Sequence, residues 1–185
     1  MTVLAYVFST AALLLYSLSY FFNSKKKYLT LQLTGNAFLS VSYLLIGSYF
    51  TMVSVAIGIA RGLICYQYEK RDKSVPIYAI AGLCLATILA YVVINFLILS
   101  DASPWDVFYL VAACLYAVTF AIRNIRVMRF TVMIPHSCAI AYNLLIRAPF
   151  SSAISYSIEW MVTLVAIFKF EGQARKERRA AREEA

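Results

Sequence analysis

The chain has 185 residues, of which 62% are hydrophobic and 15% aromatic, while only 14% carry a charge. Soluble domains carry a charge at roughly a quarter of their positions, so this composition excludes a soluble globular protein. The 17 Lys and Arg residues outnumber the 9 Asp and Glu residues and give a net charge of +8. They come in short clusters between long uncharged stretches, which excludes a disordered chain and a nucleic-acid-binding module.

Long apolar stretches follow one another along the whole chain, and charged residues, Pro or Asn and Ser separate them. A membrane-spanning helix needs about 20 apolar residues, whereas a barrel strand is about half as long and alternates in polarity. The sequence therefore predicts an all-α integral membrane protein with seven transmembrane helices, with tight turns near Gly47 and Pro149. The predicted spans are residues 2–22, 29–48, 50–68, 77–99, 107–122, 131–149 and 150–170.

Basic residues concentrate in the links after the first, third and fifth spans and in the tail after the seventh. The three other links carry two acids and a single Arg. Because Lys and Arg are enriched in cytoplasmic loops, this asymmetry predicts an N-terminus outside and a C-terminus in the cytoplasm. The tail, residues 171–185, alternates acids and bases at helical spacing, so we expect a solvated extension of the last helix.

The sequence also aligns with itself at an offset of 100 residues without a gap. Residues 15–16 match residues 115–116, and residues 43–51 match residues 143–151. The same offset superposes basic loop on basic loop and span on span. The chain therefore reads as two three-helix bundles, parallel in the membrane and joined by a linking helix. The predicted units are residues 1–68 for the first repeat, 69–106 for the linking helix with its loops, 107–170 for the second repeat, and 171–185 for the tail.

Four stretches carry a resemblance to a known family: YSLSYFFNSKKK at residues 16–27, Gly35-Asn36, YLLIG at residues 43–47 and RGLICYQYEK at residues 61–70. Together they resemble the YgjV family of bacterial inner membrane proteins, over most of the chain. The resemblance implies location in the bacterial inner membrane.

The arrangement of three, one and three helices also resembles the SWEET and PQ-loop superfamily, which includes sugar facilitators, lysosomal amino-acid exporters and the KDEL receptor. The Pro-Gln pair of the PQ-loop proteins is absent here. Of the prolines that SWEET proteins carry, only Pro135 has a counterpart, and their sugar-binding Asn residues have none. The resemblance therefore does not imply a sugar as the substrate.

Two charged residues lie deep within the apolar stretches, Arg61 in span three and Glu159 in span seven. Charged residues inside a membrane are costly and mark candidate functional sites. Superposing the repeats puts Glu159 opposite residue 59, about 3 Å of helical rise from Arg61. We expect the two side chains to meet across the symmetry axis. Such a pair either lines a pathway that binds a zwitterion or an anion, or only neutralises two buried charges.

A second set of polar residues recurs at matched depths. Asn36 and Tyr43 are seven apart on one face of span two, and their repeat mates on span six are His136 and Asn143. This pattern indicates a path lined by hydrogen-bonding groups, with hydrogen bonds between helices as the structural alternative. Trp160 joins them as a candidate for shaping the pocket.

Transporters built from parallel repeats bind their solute near the midplane, between the repeats. The sequence thus predicts a facilitator or proton-coupled transporter for a small polar solute, working by alternating access in the lipid bilayer. The predicted substrate-binding residues are Asn36, Tyr43, Arg61, His136, Asn143, Glu159 and Trp160.

Catalytic and phosphate-binding motifs are absent from the sequence, so we expect no enzyme activity, no cofactor, no metal and no nucleic-acid partner. The alternative function is a non-transporting membrane receptor or assembly factor of the same fold. A transporter should have a cavity that opens to one side and is lined by both repeats, whereas a receptor should have a fully packed interface.

Overall fold

The computed structural model describes residues 2–46, 49–93, 104–145 and 150–183. Within these ranges the chain forms seven α-helices and no strand, as the sequence predicts. The helices are α1 (Thr2–Ser19), α2 (Lys25–Ile46), α3 (Tyr49–Lys70), α4 (Ile77–Val92), α5 (Asp106–Ala121), α6 (Ile125–Leu145) and α7 (Phe150–Glu183).

Helix α6 begins six residues before the start that hydropathy predicts, at Ile125 instead of residue 131. The reason is a cap: the backbone N–H groups of Arg126 and Val127 donate to Asn124 Oδ1. Such a cap satisfies N–H groups that have no partner within the helix. The basic first turn is therefore helical although it is not apolar.

The start of α2 and the end of α7 also differ from the bounds that hydropathy predicts. Helix α2 begins at Lys25 instead of residue 29, and α7 continues to Glu183. The expected helical extension through the tail is thus confirmed as far as the structure describes it. The predicted turns near Gly47 and Pro149, and most of the link between α4 and α5, lie outside the described residues.

Helix packing follows chain order at both ends of the sequence. Helix α2 packs against α1 and α3, and α6 packs against α5 and α7. Helix α4 contacts α3 and α5, and the first three helices meet the last three through α1 with α7 and α3 with α5. The division into two three-helix bundles joined by α4, with units at residues 1–68, 69–106, 107–170 and 171–185, stays a prediction.

Glycines allow helix α2 to approach both of its neighbours closely. A Cβ atom on Gly35 of α2 would lie 2.6 Å from Tyr16 Cε1 of α1, and one on Gly62 of α3 would lie 2.7 Å from Leu33 Cδ2 of α2. Real Cβ contacts are longer than this, so any larger residue would push these helices or side chains apart. Gly35 and Gly62 therefore serve the close packing of α2 against α1 and α3.

The loops after α1, α3 and α5 come together at one end of the bundle, which we call the basic-loop end (residues 20–24, 71–76 and 122–124 with the adjoining helix ends). Lys25 Nζ lies 3.3 Å from Glu69 Oε2, and Arg129 Nη2 donates to Phe22 O at 2.6 Å. The main buried cluster lies next to these contacts. Its members are Tyr20, Tyr28, Leu29, Cys65, Val75, Phe120, Met128, Val132 and Ala166.

The outer surface of the bundle is strongly apolar. Val3, Ile77 and Phe168 are 78%, 79% and 69% exposed, and every helix carries similar outward side chains among its described residues. Monomeric soluble proteins rarely expose apolar surface on this scale, whereas lipid-facing helices do so throughout. By length and hydropathy alone, one described helix, α2, is long and apolar enough to cross a membrane, while α1, α4 and α5 are apolar but shorter.

Candidate functional site

Asn36 on α2 and His136 on α6 are bound to their own helices in the same way. Asn36 Nδ2 donates to Gln32 O at 2.9 Å, and His136 Nδ1 donates to Val132 O at 2.7 Å. Each acceptor lies four residues before its donor, and the two acceptors are also repeat mates. The side chain at this level is therefore held in the same orientation in both repeats.

Each of these two side chains also contacts a tyrosine of the preceding helix. Tyr16 OH donates to Asn36 Oδ1 at 3.1 Å. The Tyr116 ring meets the His136 ring edge-on, with 5.4 Å between the ring centroids. Tyr16 and Tyr116 are themselves 100 residues apart, so the offset found in the sequence relates contacts in space as well as residue types.

His136 and Glu159 form a close pair between α6 and α7. His136 Nε2 lies 3.1 Å from Glu159 Oε2, with the two side chains only 1% and 13% exposed. Because a carbonyl only accepts, His136 Nδ1 must carry a hydrogen toward Val132 O. A hydrogen bond between Nε2 and the carboxyl group needs a proton between these two atoms, donated either by the imidazole ring or by the carboxyl group.

Arg61 does not meet Glu159, contrary to the expectation from the sequence. Its guanidinium carbon lies 4.8 Å from the centroid of the Phe120 ring and 5.4 Å from that of Tyr116. The expectation considered helical rise only. Glu159 superposes on residue 59, and positions 59 and 61 point about 160° apart around a helix, so the depth is right and the face is wrong.

A closed circuit of contacts between aromatic rings connects Arg61 with His136. Tyr116 contacts both Arg61 and His136, and the circuit returns from His136 to Arg61 through three more rings. Those rings are Tyr20, Tyr28 and Phe120, with neighbouring centroids 5.4 to 6.0 Å apart. Arg61 and His136, the partner of Glu159, therefore share one aromatic wall.

We call the resulting group the polar cluster. It takes one residue from each of the six helices other than α4. Its members are Tyr16 from α1, Asn36 from α2, Arg61 from α3, Tyr116 from α5, His136 from α6 and Glu159 from α7. Four of them were predicted from the sequence. The two tyrosines were not, although the repeat alignment that places residue 16 on residue 116 was the signal that would have found them.

Three predicted site residues lie outside the polar cluster. Asn143 is buried and its Nδ2 donates to Ala139 O, four residues earlier on its own helix, at 2.7 Å. Tyr43 and Trp160 are half-buried, and neither forms a hydrogen bond or a ring contact with another described residue. The structure therefore brings together four of the seven predicted residues and leaves these three apart.

Metal-binding residue types do not gather anywhere in the part of the chain that the structure describes. No group of three or more His, Cys, Asp or Glu side chains has the geometry to hold an ion there. The His136–Glu159 pair alone offers two ligands, so no metal site can be assigned to it.

The fold and the site together define a class: a helical bundle with an apolar exterior and a polar, charged interior. The chain belongs to the YgjV family of bacterial inner membrane proteins, whose family model matches residues 3–174. This confirms the resemblance seen in the sequence and places the protein in a bacterial inner membrane. No curated protein and no solved structure matches the chain.

Proposed function

We propose that this protein is an inner-membrane transporter that moves a small polar solute by alternating access between two three-helix bundles. The first bundle is α1–α3, the second is α5–α7, and α4 links them in parallel, as in the SWEET and PQ-loop superfamily. The N-terminus lies outside and the C-terminus in the cytoplasm. The protein has no enzyme activity and needs no cofactor.

The polar cluster is the observation that carries this proposal. Hydrogen-bonding and charged groups in a membrane interior are costly to keep, and they usually line a solute or ion pathway. Here they come from six helices, and Asn36 and His136 hold matched positions in the two repeats. Parallel-repeat transporters bind their solute at this depth, where the repeats face each other.

The contacts between the two proposed bundles support movement of one against the other. Those described include Arg61 with Phe120, Tyr28 with Phe120, and Arg129 with Phe22. Interfaces of this kind open by rocking when one end separates while the other closes.

The predicted site residues then have distinct tasks. Asn36, Arg61, His136 and Glu159 bind the solute, Tyr43 and Asn143 line the path to the side away from the basic loops, and Trp160 shapes the pocket at the level of Glu159. The proton shared by His136 and Glu159 gives the pair a means of coupling transport to protons, since either partner can hold it. A facilitator would leave that proton in place during the cycle.

Counterflow in proteoliposomes tests the proposal. Proteoliposomes that contain the purified protein are loaded with unlabelled sugars, amino acids or carboxylic acids. Uptake of the same labelled compounds is then measured with and without a pH gradient. We expect saturable exchange of at least one compound, reduced at least tenfold by Glu159→Gln. A response to the pH gradient that is lost in this variant identifies proton coupling.

A non-transporting receptor or assembly factor remains the alternative function. It requires the bundles to stay locked, with the polar cluster serving only to join them. Absence of exchange for the whole panel, together with binding of a solute that stabilises the protein, would favour this alternative over transport.

A further inference from the structure

Arg61 is a cation without a counter-ion in the interior of the bundle. Its guanidinium group lies over the faces of Phe120 and Tyr116, and it forms no ion pair with any described residue. Its Nε atom is fully buried and has no hydrogen-bond partner. Arginine does not lose its proton in proteins, so this positive charge is permanent.

The acids of the described chain are engaged elsewhere. Glu159 contacts His136 and forms no ion pair with Arg61. The other acids whose side chains the structure describes contact other residues: Glu69 contacts Lys25, Asp72 contacts Arg123, Asp106 contacts Tyr91 and Glu171 contacts Arg126. Arg61 therefore has no carboxylate partner among the side chains that the structure describes.

Stacking on two rings compensates this charge only in part. A cation over an aromatic face gains a small fraction of what hydration or a carboxylate partner provides. Arg61 is half-buried, so part of the side chain stays accessible to a ligand although Nε does not. The guanidinium group also lies near Gly58, where an added Cβ would lie 3.8 Å from Arg61 Nη2 and 3.3 Å from Asn36 Oδ1.

We propose that the transported solute is a small organic monoanion whose carboxylate binds Arg61. The planar guanidinium matches a carboxylate with two parallel hydrogen bonds. One cation balances one negative charge, which favours a monocarboxylate over a phosphate dianion. The aromatic faces of Tyr116 and Phe120 suit an organic remainder better than a bare inorganic ion. The proposal rests on the proposed function only in naming the ligand as the transported solute.

Thermal unfolding of the purified protein in a nonionic detergent tests the ligand class. The probes are acetate, propionate and benzoate, each compared with its amide, together with chloride, nitrate and phosphate. We expect at least one carboxylate to raise the unfolding temperature by about 5 °C or more at a hundred times its Kd, and its neutral amide to leave it unchanged.

Three variants locate the effect. Arg61→Gln should abolish the stabilisation, and Arg61→Lys, which keeps the charge but not the planar fork, should weaken it at least tenfold in apparent affinity. Arg123→Gln removes an exposed arginine of the basic-loop end and should respond like the wild type. If Arg61→Gln does not fold, the carboxylate site is still tested by Arg61→Lys and by comparing acid with amide on the wild type.

Equal stabilisation by acid and amide, by chloride alone, or in the Arg61→Gln variant would overturn the carboxylate site. The counterflow panel separates this failure from failure of the transporter proposal. If a neutral solute is exchanged and carboxylates do not affect the protein, only the proposed anion site is contradicted. A carboxylate that binds through Arg61 but is never exchanged removes only transport.

Discussion

Tyr16 lies directly against the backbone of α2, because residue 35 has no side chain. A Cβ at Gly35 would lie 2.6 and 2.8 Å from two atoms of the Tyr16 ring. The ring must therefore move in Gly35→Ala, and its hydrogen bond to Asn36 is broken. We expect transport to fall at least tenfold while the protein still folds, as measured by counterflow and by circular dichroism.

Gly82→Ala in α4 is the matched control, since nothing lies within 4 Å of an added Cβ there. An exposed Gly-to-Ala change in a helix stabilises it by about 0.5–1 kcal/mol. This variant should therefore transport at the wild-type rate. Equal loss of transport in both variants would mean that Tyr16 and Asn36 have no special part in the mechanism.

In the ligand-free protein, Arg61 should lower the free energy of unfolding. Replacing it with Met keeps most of the side-chain length and removes a buried charge that has no counter-ion. Uncompensated charges cost several kcal/mol in low-dielectric surroundings, so Arg61→Met should stabilise the ligand-free protein by about 1–3 kcal/mol. A lower unfolding temperature than the wild type, measured in detergent without added anions, would show that Arg61 is structural.

The sequence predicts some of these residues and misplaces others, for identifiable reasons. Asn36 and His136 are predictable because the 100-residue offset preserves both depth and helix face. Arg61 and Glu159 are predictable as candidates, but not as partners, because a two-residue shift reverses the face. The pairing of Glu159 with His136 depends on how α6 and α7 are rotated against each other, which hydropathy does not encode.

At the scale of single elements, helix boundaries depend on backbone chemistry that an apolar pattern does not reveal. Asn124 starts α6 within a basic stretch. Helix α3 ends with Asp72 in a left-handed conformation at φ 53, with Asp72 N–H donating to Glu69 O and Lys73 N–H to Tyr68 O. This is the bonding of a Schellman motif, in which glycine is the usual residue at the left-handed position.

Asp72→Gly should therefore stabilise the protein by about 0.5–1 kcal/mol, because glycine adopts positive φ without steric cost. The ion pair between Asp72 and Arg123 is exposed and 3.9 Å long, so removing it costs little. Asp72→Val is the opposing control and should destabilise by about 1–2 kcal/mol. Thermal unfolding of both variants checks this. The same stability in Gly and Val variants would contradict the assigned turn.

At the scale of the whole molecule, the clustering of positive charge predicts the orientation. The basic-loop end should lie in the cytoplasm, because Lys and Arg are retained on that side during insertion. A green fluorescent protein fused after residue 185 should be fluorescent, and alkaline phosphatase fused there should be inactive. Active phosphatase at this position would contradict the N-out, C-in topology.

The central claim is that α1–α3 and α5–α7 move against each other around the polar cluster. Electron spin resonance distances between labels at Lys26 on α2 and Val127 on α6 test it most directly, after the four native cysteines are replaced. Both positions are exposed at the basic-loop end. A reference pair at Lys26 and Lys70 lies within the first three helices and should give one unchanging distance.

We predict two populations for the pair at residues 26 and 127, one short with the basic-loop end closed and one longer with it open. Addition of a transported solute should change their proportions, while the reference pair stays constant. A single narrow distance for residues 26 and 127, unchanged by every solute of the counterflow panel and by pH, would contradict alternating access between the two bundles.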